Sequence, residues 1–167
     1  MKEFLIAISF LSLELGEPNH NLSDSQINNQ WLGFKPATTE EIHKTEKRLN
    51  VKLPVDYKNF LKITNGFLAS NSVEPTFIKI EEIDYLKNID KFCIEAYNYL
   101  PELQNSILIA GKDEEQYFLL IPPKNVNEKW KYWKFSNWHP GEHEFENLDV
   151  YFHDVLKFME NEFNQKK

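Results

Sequence analysis

The sequence is poor in cysteine and arginine, with Cys93 and Arg48 the single examples of each among 167 residues. One cysteine excludes an intramolecular disulfide, which fits a reducing compartment, and we expect the protein to be cytoplasmic. The net charge is −7, from 26 acidic and 19 basic residues. Phosphate backbones are bound by clustered Lys and Arg, so this composition argues against nucleic acid as a direct ligand. A negative surface instead attracts basic proteins.

Long apolar runs are also missing, because nothing approaches the roughly 20 residues of a transmembrane helix, and no membrane contact is expected. The apolar stretch over residues 4–13 has the length of a signal-peptide core. However, Glu3 offsets Lys2, Glu14 interrupts the end of the run, and no A-x-A site follows. We therefore interpret this stretch as a buried first helix or strand.

Glycine is scarce, with five residues, which argues against long flexible linkers. The chain is rich in aromatic residues (13 Phe, 7 Tyr and 4 Trp), whose burial energies argue against disorder. The length suits one domain with a substantial core. Residues 16–30 are polar and are interpreted as a surface connection that can include one helical turn.

Residues 38–50 carry the pattern of a helix with both ends marked. Thr38 and Glu41 have capping-box spacing, in which the hydroxyl accepts from a backbone N–H and the carboxylate reaches back to the cap. Asn50 tolerates the left-handed conformation that ends many helices. The inner face of this helix is predicted to consist of Ile42, Thr45, Glu46 and Leu49.

A second helix is predicted to start at Leu53-Pro54, because proline is preset for a first turn, and to stop at Asn65-Gly66. Its apolar face follows the spacing i, i+3, i+4, i+7, given by Tyr57, Phe60, Leu61 and Thr64.

The remaining chain alternates short apolar runs with polar connections. The pattern predicts, in chain order, a strand over 76–80, a helical or mixed stretch over 81–100 with Phe92 and Tyr99 available for burial, a hairpin of 107–110 and 117–121 around a turn at 111–116, a third strand over 130–135, and a closing helix over 148–163. Helices at both ends of a run of strands favour an α+β architecture.

The segment from Trp31 to Gly66 resembles the SUKH superfamily. The shared features are a helix ending before Leu53-Pro54, the aromatic Tyr57 three residues after the proline, and the terminal Asn65-Gly66. Later strands, the segment 139–143 and a final helix follow in a similar order. Asn50 stands where the family often has Gly, and Asn can hold the same backbone geometry.

The resemblance implies a single-domain α+β fold with a mixed, mostly antiparallel sheet flanked by helices. We expect residues 1–29 to form an N-terminal helix or strand plus a polar connection within the same domain, 30–163 to form the SUKH-like domain, and 164–167 to be a tail. Most of the shared residues have a structural explanation, so the motif identifies the fold without locating a site.

The segment around His139 holds several groups that could bind a metal, including Glu142, His143 and Glu144. Pro140-Gly141 breaks any helix there, so the imidazole rings of His139 and His143 do not lie on one helical face. We therefore predict a polar turn and no metal site. Cys93 lies in an apolar setting and is expected to be a buried, unreactive thiol.

The candidates for partner binding are acidic and aromatic positions in the second half of the chain: Asp113, Glu114 and Glu115 in the predicted hairpin turn, Trp138, and Glu142 and Glu144 before the last helix. Each also has an ordinary interpretation, as a solvated turn, a core tryptophan or an acidic surface.

The SUKH superfamily includes a fungal cell-wall-synthesis regulator and many bacterial immunity proteins paired with secreted toxins. The resemblance therefore implies a non-enzymatic protein-binding role. We expect an immunity protein that neutralises a cognate toxin, a basic protein such as a nuclease. The alternative is a regulatory or scaffolding module related to cell-wall synthesis. A third interpretation, a hydrolase, would require a cleft with convergent polar groups and perturbed pKa values. No cofactor is expected, and the oligomeric state is left open.

Overall fold

A computed structural model describes residues 1–16, 22–125, 127–136 and 142–166. One five-stranded sheet has the order β1-β2-β3-β4-β5, and every described strand pair is antiparallel. The strands are β1 (Asp84–Tyr85), β2 (Ile107–Ala110), β3 (Gln116–Ile121), β4 (Lys131–Ser136) and β5 (Glu142–Phe145). The predicted α+β class is confirmed, and the sheet is antiparallel rather than mixed in these pairs.

The described helices precede, interrupt and follow the sheet. They are α1 (Lys2–Glu14), α2 (Asp24–Asn28), α3 (Thr39–Leu49), α4 (Val55–Ile63), α5 (Leu86–Ile89), α6 (Lys91–Ala96), a 3-10 helix (Pro101–Asn105) and α7 (Leu148–Gln165). The N-terminal stretch is thus a helix, and α7 runs two residues into the segment expected to be a tail. None of the described helices is both long and apolar enough to span a membrane.

Strand β3 is covered on both faces, as its unbroken apolar sequence requires. Phe118 and Leu120 face the main core, where α1, α3, α4 and α7 pack. Tyr117, Leu119 and Ile121 face a smaller second core. That second core is closed by residues 86–105, which comprise α5, α6 and the 3-10 helix. We call this segment the cover.

Aromatic rings fill the centre of the main core. The Phe77 ring lies 5.2 to 5.7 Å, between ring centroids, from four others: Phe60, Phe118, Tyr151 and Phe152. Tilted and edge-to-face pairs of this kind stabilise a core beyond the area that they bury. They tie α4, the sheet and α7 into one unit.

The helix pair α3 and α4 forms as the sequence predicts. Thr38 Oγ1 accepts from the Glu41 amide at 3.2 Å, and Glu41 Oε2 accepts from the Thr38 amide at 2.7 Å. Asn50 ends α3 in the left-handed conformation, with φ of 50°. The inner-face positions of both helices are buried.

Glu46 is a charged group in this interface and is only 4% exposed. Its Oε1 accepts from the Leu53 amide at 3.0 Å and from Lys58 Nζ at 3.2 Å, while its Oε2 accepts from Lys52 Nζ at 3.2 Å. Burial alone would raise the pKa of Glu46, but the hydrogen bonds from Lys58, Lys52 and Leu53 outweigh it and hold the pKa below the usual value. The carboxylate therefore fixes the connection between α3 and α4.

Two local predictions are wrong. Residues 76–80 do not form a strand: only Phe77 makes bridges, to Phe67 and Ala110. The segment pairs only briefly with the end of β2, through bonds from the Ile78 amide to the Ile109 carbonyl at 3.0 Å and from the Gly111 amide to the Thr76 carbonyl at 2.9 Å. The Ile80 amide then donates to Asn65 Oδ1 at 2.7 Å. Residues 142–145, predicted as part of a polar turn, form the edge strand β5.

Replacing the buried carboxylate, in Glu46→Gln, should lower the free energy of unfolding by about 2–3 kcal/mol at pH 7, because two ammonium groups lose their partner. Since the folded-state pKa is depressed, this stabilisation is present above the unfolded pKa of about 4.3 and is lost as the pH falls through the folded value. Urea denaturation of both proteins at pH 7 and pH 3 measures the difference. Glu82→Gln, at an exposed position, is the control and should change stability by less than about 0.5 kcal/mol. An equal loss at both pH values would contradict this role.

Candidate partner-binding surface

The acidic hairpin turn joins β2 to β3 and divides its carboxylates between two tasks. Asp113 takes a left-handed conformation, with φ of 64°. Asp113 and Glu115 are exposed, and neither side chain takes part in a hydrogen bond or ion pair between described residues. Glu114 instead turns inward, and its Oε2 accepts from the Thr76 amide at 3.0 Å. Two of the three predicted residues are therefore available to a partner, and the third holds the turn in place.

Glu144 lies on β5 opposite Trp133 and has internal partners. Its Oε2 is 2.9 Å from Lys131 Nζ and accepts from Trp133 Nε1 at 3.0 Å. The Lys131 bond, followed by the Trp133 bond, lowers the pKa of Glu144 against a smaller opposing effect of burial. Glu144 therefore orients a buried tryptophan on the edge of the second core.

The other two candidates are described only in part. Glu142 pairs through its backbone with Phe135, but its side chain lies outside the described structure. Trp138 lies outside the described residues, as does His139. Gln116 pairs with Ser136, so the acidic turn and the start of β5 lie at the same end of the sheet.

The cover adds two aromatic side chains that the sequence interpretation placed in the core. Phe92 is 80% exposed and Tyr99 is 61% exposed. The cover buries Leu86, Cys93 and Leu103 against the sheet instead. Consecutive helical residues project about 100° apart, so Phe92 and its neighbour Cys93 lie on different sides of α6, and the sheet buries the side of Cys93. Because α6 is short, it can bury only one row of side chains against the sheet. Its short length was the feature of the sequence that could have predicted the exposure of Phe92.

Asp90 joins the cover to the sheet and to the acidic turn. Its Oδ1 caps α6 by accepting from the Cys93 amide at 2.9 Å, and its Oδ2 accepts from the Tyr117 hydroxyl at 2.6 Å. Burial first, then Asp90, raises the pKa of Tyr117 well above its usual value, and the charge of Asp113 adds to this effect. The charge of Asp113 in the exposed turn therefore acts on Tyr117, the residue that joins β3 to Asp90.

A second polar group lies beside α7, in a cleft of about 180 Å³ lined by Glu74, Lys134, His143 and Tyr151 among others. Lys134 Nζ is 2.8 Å from Glu74 Oε1, and the Tyr151 hydroxyl donates to Glu74 Oε2 at 2.7 Å. Burial and the Glu74 carboxylate raise the pKa of Tyr151, so its hydroxyl stays a hydrogen-bond donor. Through these contacts, Glu74 links Tyr151 of α7 to Lys134 of β4 and so joins α7 to the sheet.

Metal and thiol chemistry have little support in the described part of the chain. There, no three His, Cys, Asp or Glu side chains come together as a metal site would require. Cys93 is buried, and burial together with the nearby Asp90 raises the pKa of the thiol to about 11. A reactive cysteine has the opposite shift.

The folded protein should therefore resist thiol reagents. At pH 8 a pKa of about 11 leaves about one thiolate in a thousand, and the sulfur is shielded as well. Labelling of Cys93 by a chromogenic disulfide should be at least about 100-fold slower in the native protein than in 6 M guanidinium. The faster rate in guanidinium is expected because unfolding exposes the thiol. Comparable rates in both solutions would mean that the cover does not close over the thiol.

Comparison of the sequence with known proteins assigns the chain to a family. Residues 36–161 match the sequence model described as the SMI1/KNR4 family (SUKH-1). No curated protein matches the chain. The matched span runs from before α3 into α7 and includes the cover and the acidic turn, but neither α1 nor α2. Because it covers well over half of the 167 residues, this chain belongs to the SMI1/KNR4 (SUKH-1) family of the SUKH superfamily.

Proposed function

We propose that the protein is a cytoplasmic immunity protein, which binds a cognate toxin domain and blocks its active site or substrate groove. The observation that carries this proposal is membership of a family that includes toxin-immunity proteins as well as regulators of the fungal type. Blocking a groove requires only a complementary surface, so the protein itself needs no catalytic group.

The charge distribution supports a basic protein partner. Several carboxylates have structural partners, as Glu46, Glu74 and Glu144 do. The solvent-facing carboxylates of the hairpin turn, Asp113 and Glu115, do not, and they add to a chain with a net charge of −7. Toxins that act on nucleic acids carry basic clefts, and an acidic partner gains association rate by electrostatic steering and specificity from complementary charge.

The first test is binding and rescue. The tagged full-length protein is mixed with the C-terminal domain of a toxin-like protein encoded beside its gene, and the two are also co-expressed in a growth assay. We expect a one-to-one complex and restored growth. Failure of both binding and rescue would contradict the immunity role and favour the regulatory or scaffolding module instead.

The proposed electrostatic attraction to a basic partner is tested separately, by measuring the association rate as a function of salt concentration. The rate should fall as NaCl rises, because exposed charges are screened over about 8–10 Å at 0.1–0.15 M. Reversing the turn, in Asp113→Lys with Glu115→Lys, should lower the rate about tenfold at low salt. Glu3→Lys with Glu14→Lys on α1 makes the same change in net charge at exposed positions away from the turn and is the matched control. An equal effect of both pairs would mean that net charge alone steers the partner, and a salt-independent rate would remove the electrostatic argument.

A further inference from the structure

The burial of Cys93 directs Phe92 toward solvent, but no ring contact within the described residues requires an aromatic side chain at this position. Its exposed fraction of 80% exceeds that of every other large hydrophobic side chain in the described residues. A phenylalanine held in water gains nothing for folding, whereas burying an aromatic side chain in an interface removes 150–250 Å² from water. Exposed aromatic residues that become buried on association are typical binding hot spots.

The backbone that carries Phe92 is fixed at both ends. On one side, Asp90 caps α6 and accepts from Tyr117 on β3. On the other, Cys93 is buried in the second core, beside Phe92 in sequence. A binding residue on a backbone that is already fixed loses little conformational freedom when it binds, so more of its contact energy contributes to affinity.

A second aromatic side chain accompanies it on the cover. The Tyr97 ring meets Phe135 of β4 edge-on, with 5.0 Å between centroids, and the Tyr99 ring lies 6.1 Å from that of Tyr97. Tyr97 thus links the sheet to the exposed Tyr99. The two exposed rings belong to one short segment that the sheet holds in place.

The charges around these rings are predominantly negative. The cover, residues 86–105, contains three acids, Asp90, Glu95 and Glu102, and two lysines, Lys87 and Lys91, which gives a local charge of −1, and Glu102 pairs with Lys124 at 2.7 Å. The acidic turn, residues 111–116, adds a charge of −2. Glu95 is exposed and lies three residues after Phe92 on α6, on the same helical face. The charge of Asp113 in the acidic turn adds to the rise in the pKa of Tyr117, whose hydroxyl donates to Asp90 at the start of α6. A cation that stacks on the Phe92 ring would therefore also meet a carboxylate.

We propose that Phe92 is the central anchor of the toxin interface, supported by Tyr99 and Glu95, and that it inserts into the basic cleft of the toxin domain. This inference rests on the proposed immunity function and assigns its binding face to the cover. The cleft would supply an apolar or guanidinium-lined socket for the ring, and Lys or Arg side chains that pair with Glu95 and the acidic turn. Complementary charge selects this occupant over a second copy of the chain, because two copies that each carry a net charge of −7 would repel each other.

The test measures the dissociation constant of the full-length protein for the toxin domain described above. Phe92→Ser should raise Kd about thirtyfold, mostly through faster dissociation, as loss of a hot-spot aromatic does. Phe92→Trp keeps a large ring and should stay within about fivefold of the unmodified protein. Phe10→Ser, at an exposed aromatic residue on α1 that is 42% exposed, is the matched control and should change Kd less than threefold.

Each outcome has one meaning. If the unmodified protein binds no toxin domain, the immunity function fails and this interface fails with it. If it binds but Phe92→Ser leaves Kd within threefold, the function stands and the interface is wrong. A loss on Phe10→Ser with none on Phe92→Ser would assign the binding face to α1. Glu95→Lys, at an exposed position, provides a second variant and should lower the association rate several-fold, whereas an unchanged rate would contradict the charge pairing.

Discussion

Strand β3 has no solvent-facing side, and much of this architecture follows from that constraint. Its apolar residues alternate between two cores, so both faces of the sheet must be covered. The four longer helices cover one face. The other face is left to the short cover between β1 and β2, whose α6 can bury one row of side chains and must leave the next row in water. The outward direction of Phe92 is thus a consequence of how the second core is closed.

Carboxylates hold the irregular parts of this fold together, so not all of the negative charge is available to a partner. Glu46 fixes the connection between α3 and α4, Asp90 joins the cover to β3, and Glu114 secures the turn before β3. These acids are committed to the structure. Asp113 and Glu115 of the hairpin turn, in contrast, face solvent.

The sequence predicted local features whose causes are local. The capping box of Thr38 and Glu41 and the left-handed Asn50 were all predictable, because each depends on residues within one helical turn. The hairpin from β2 to β3 was predictable from its two apolar runs. The edge strand β5 was missed because its sequence is polar at three of four positions and its pairing with β4 is a tertiary property. The strand predicted over 76–80 was wrong for the same kind of reason, since its pairing with the end of β2 is limited to the bridge at Phe77 and adjacent bonds, and the Ile80 amide donates to the distant side chain of Asn65 instead. In the candidate surface, the exposure of Asp113 and Glu115 was predictable from charge alone, whereas the outward direction of Phe92 depended on which neighbouring residue the sheet buried.

The most direct test of the central claim, that the cover and the acidic turn form the binding face, is amide hydrogen exchange of the protein alone and in complex with the toxin domain. The account predicts that exchange slows in peptides spanning 86–102 and 111–116, while the exposed face of α1 exchanges at an unchanged rate. Slowed exchange confined to α1 or α7, with the cover unaffected in a stable complex, would contradict it.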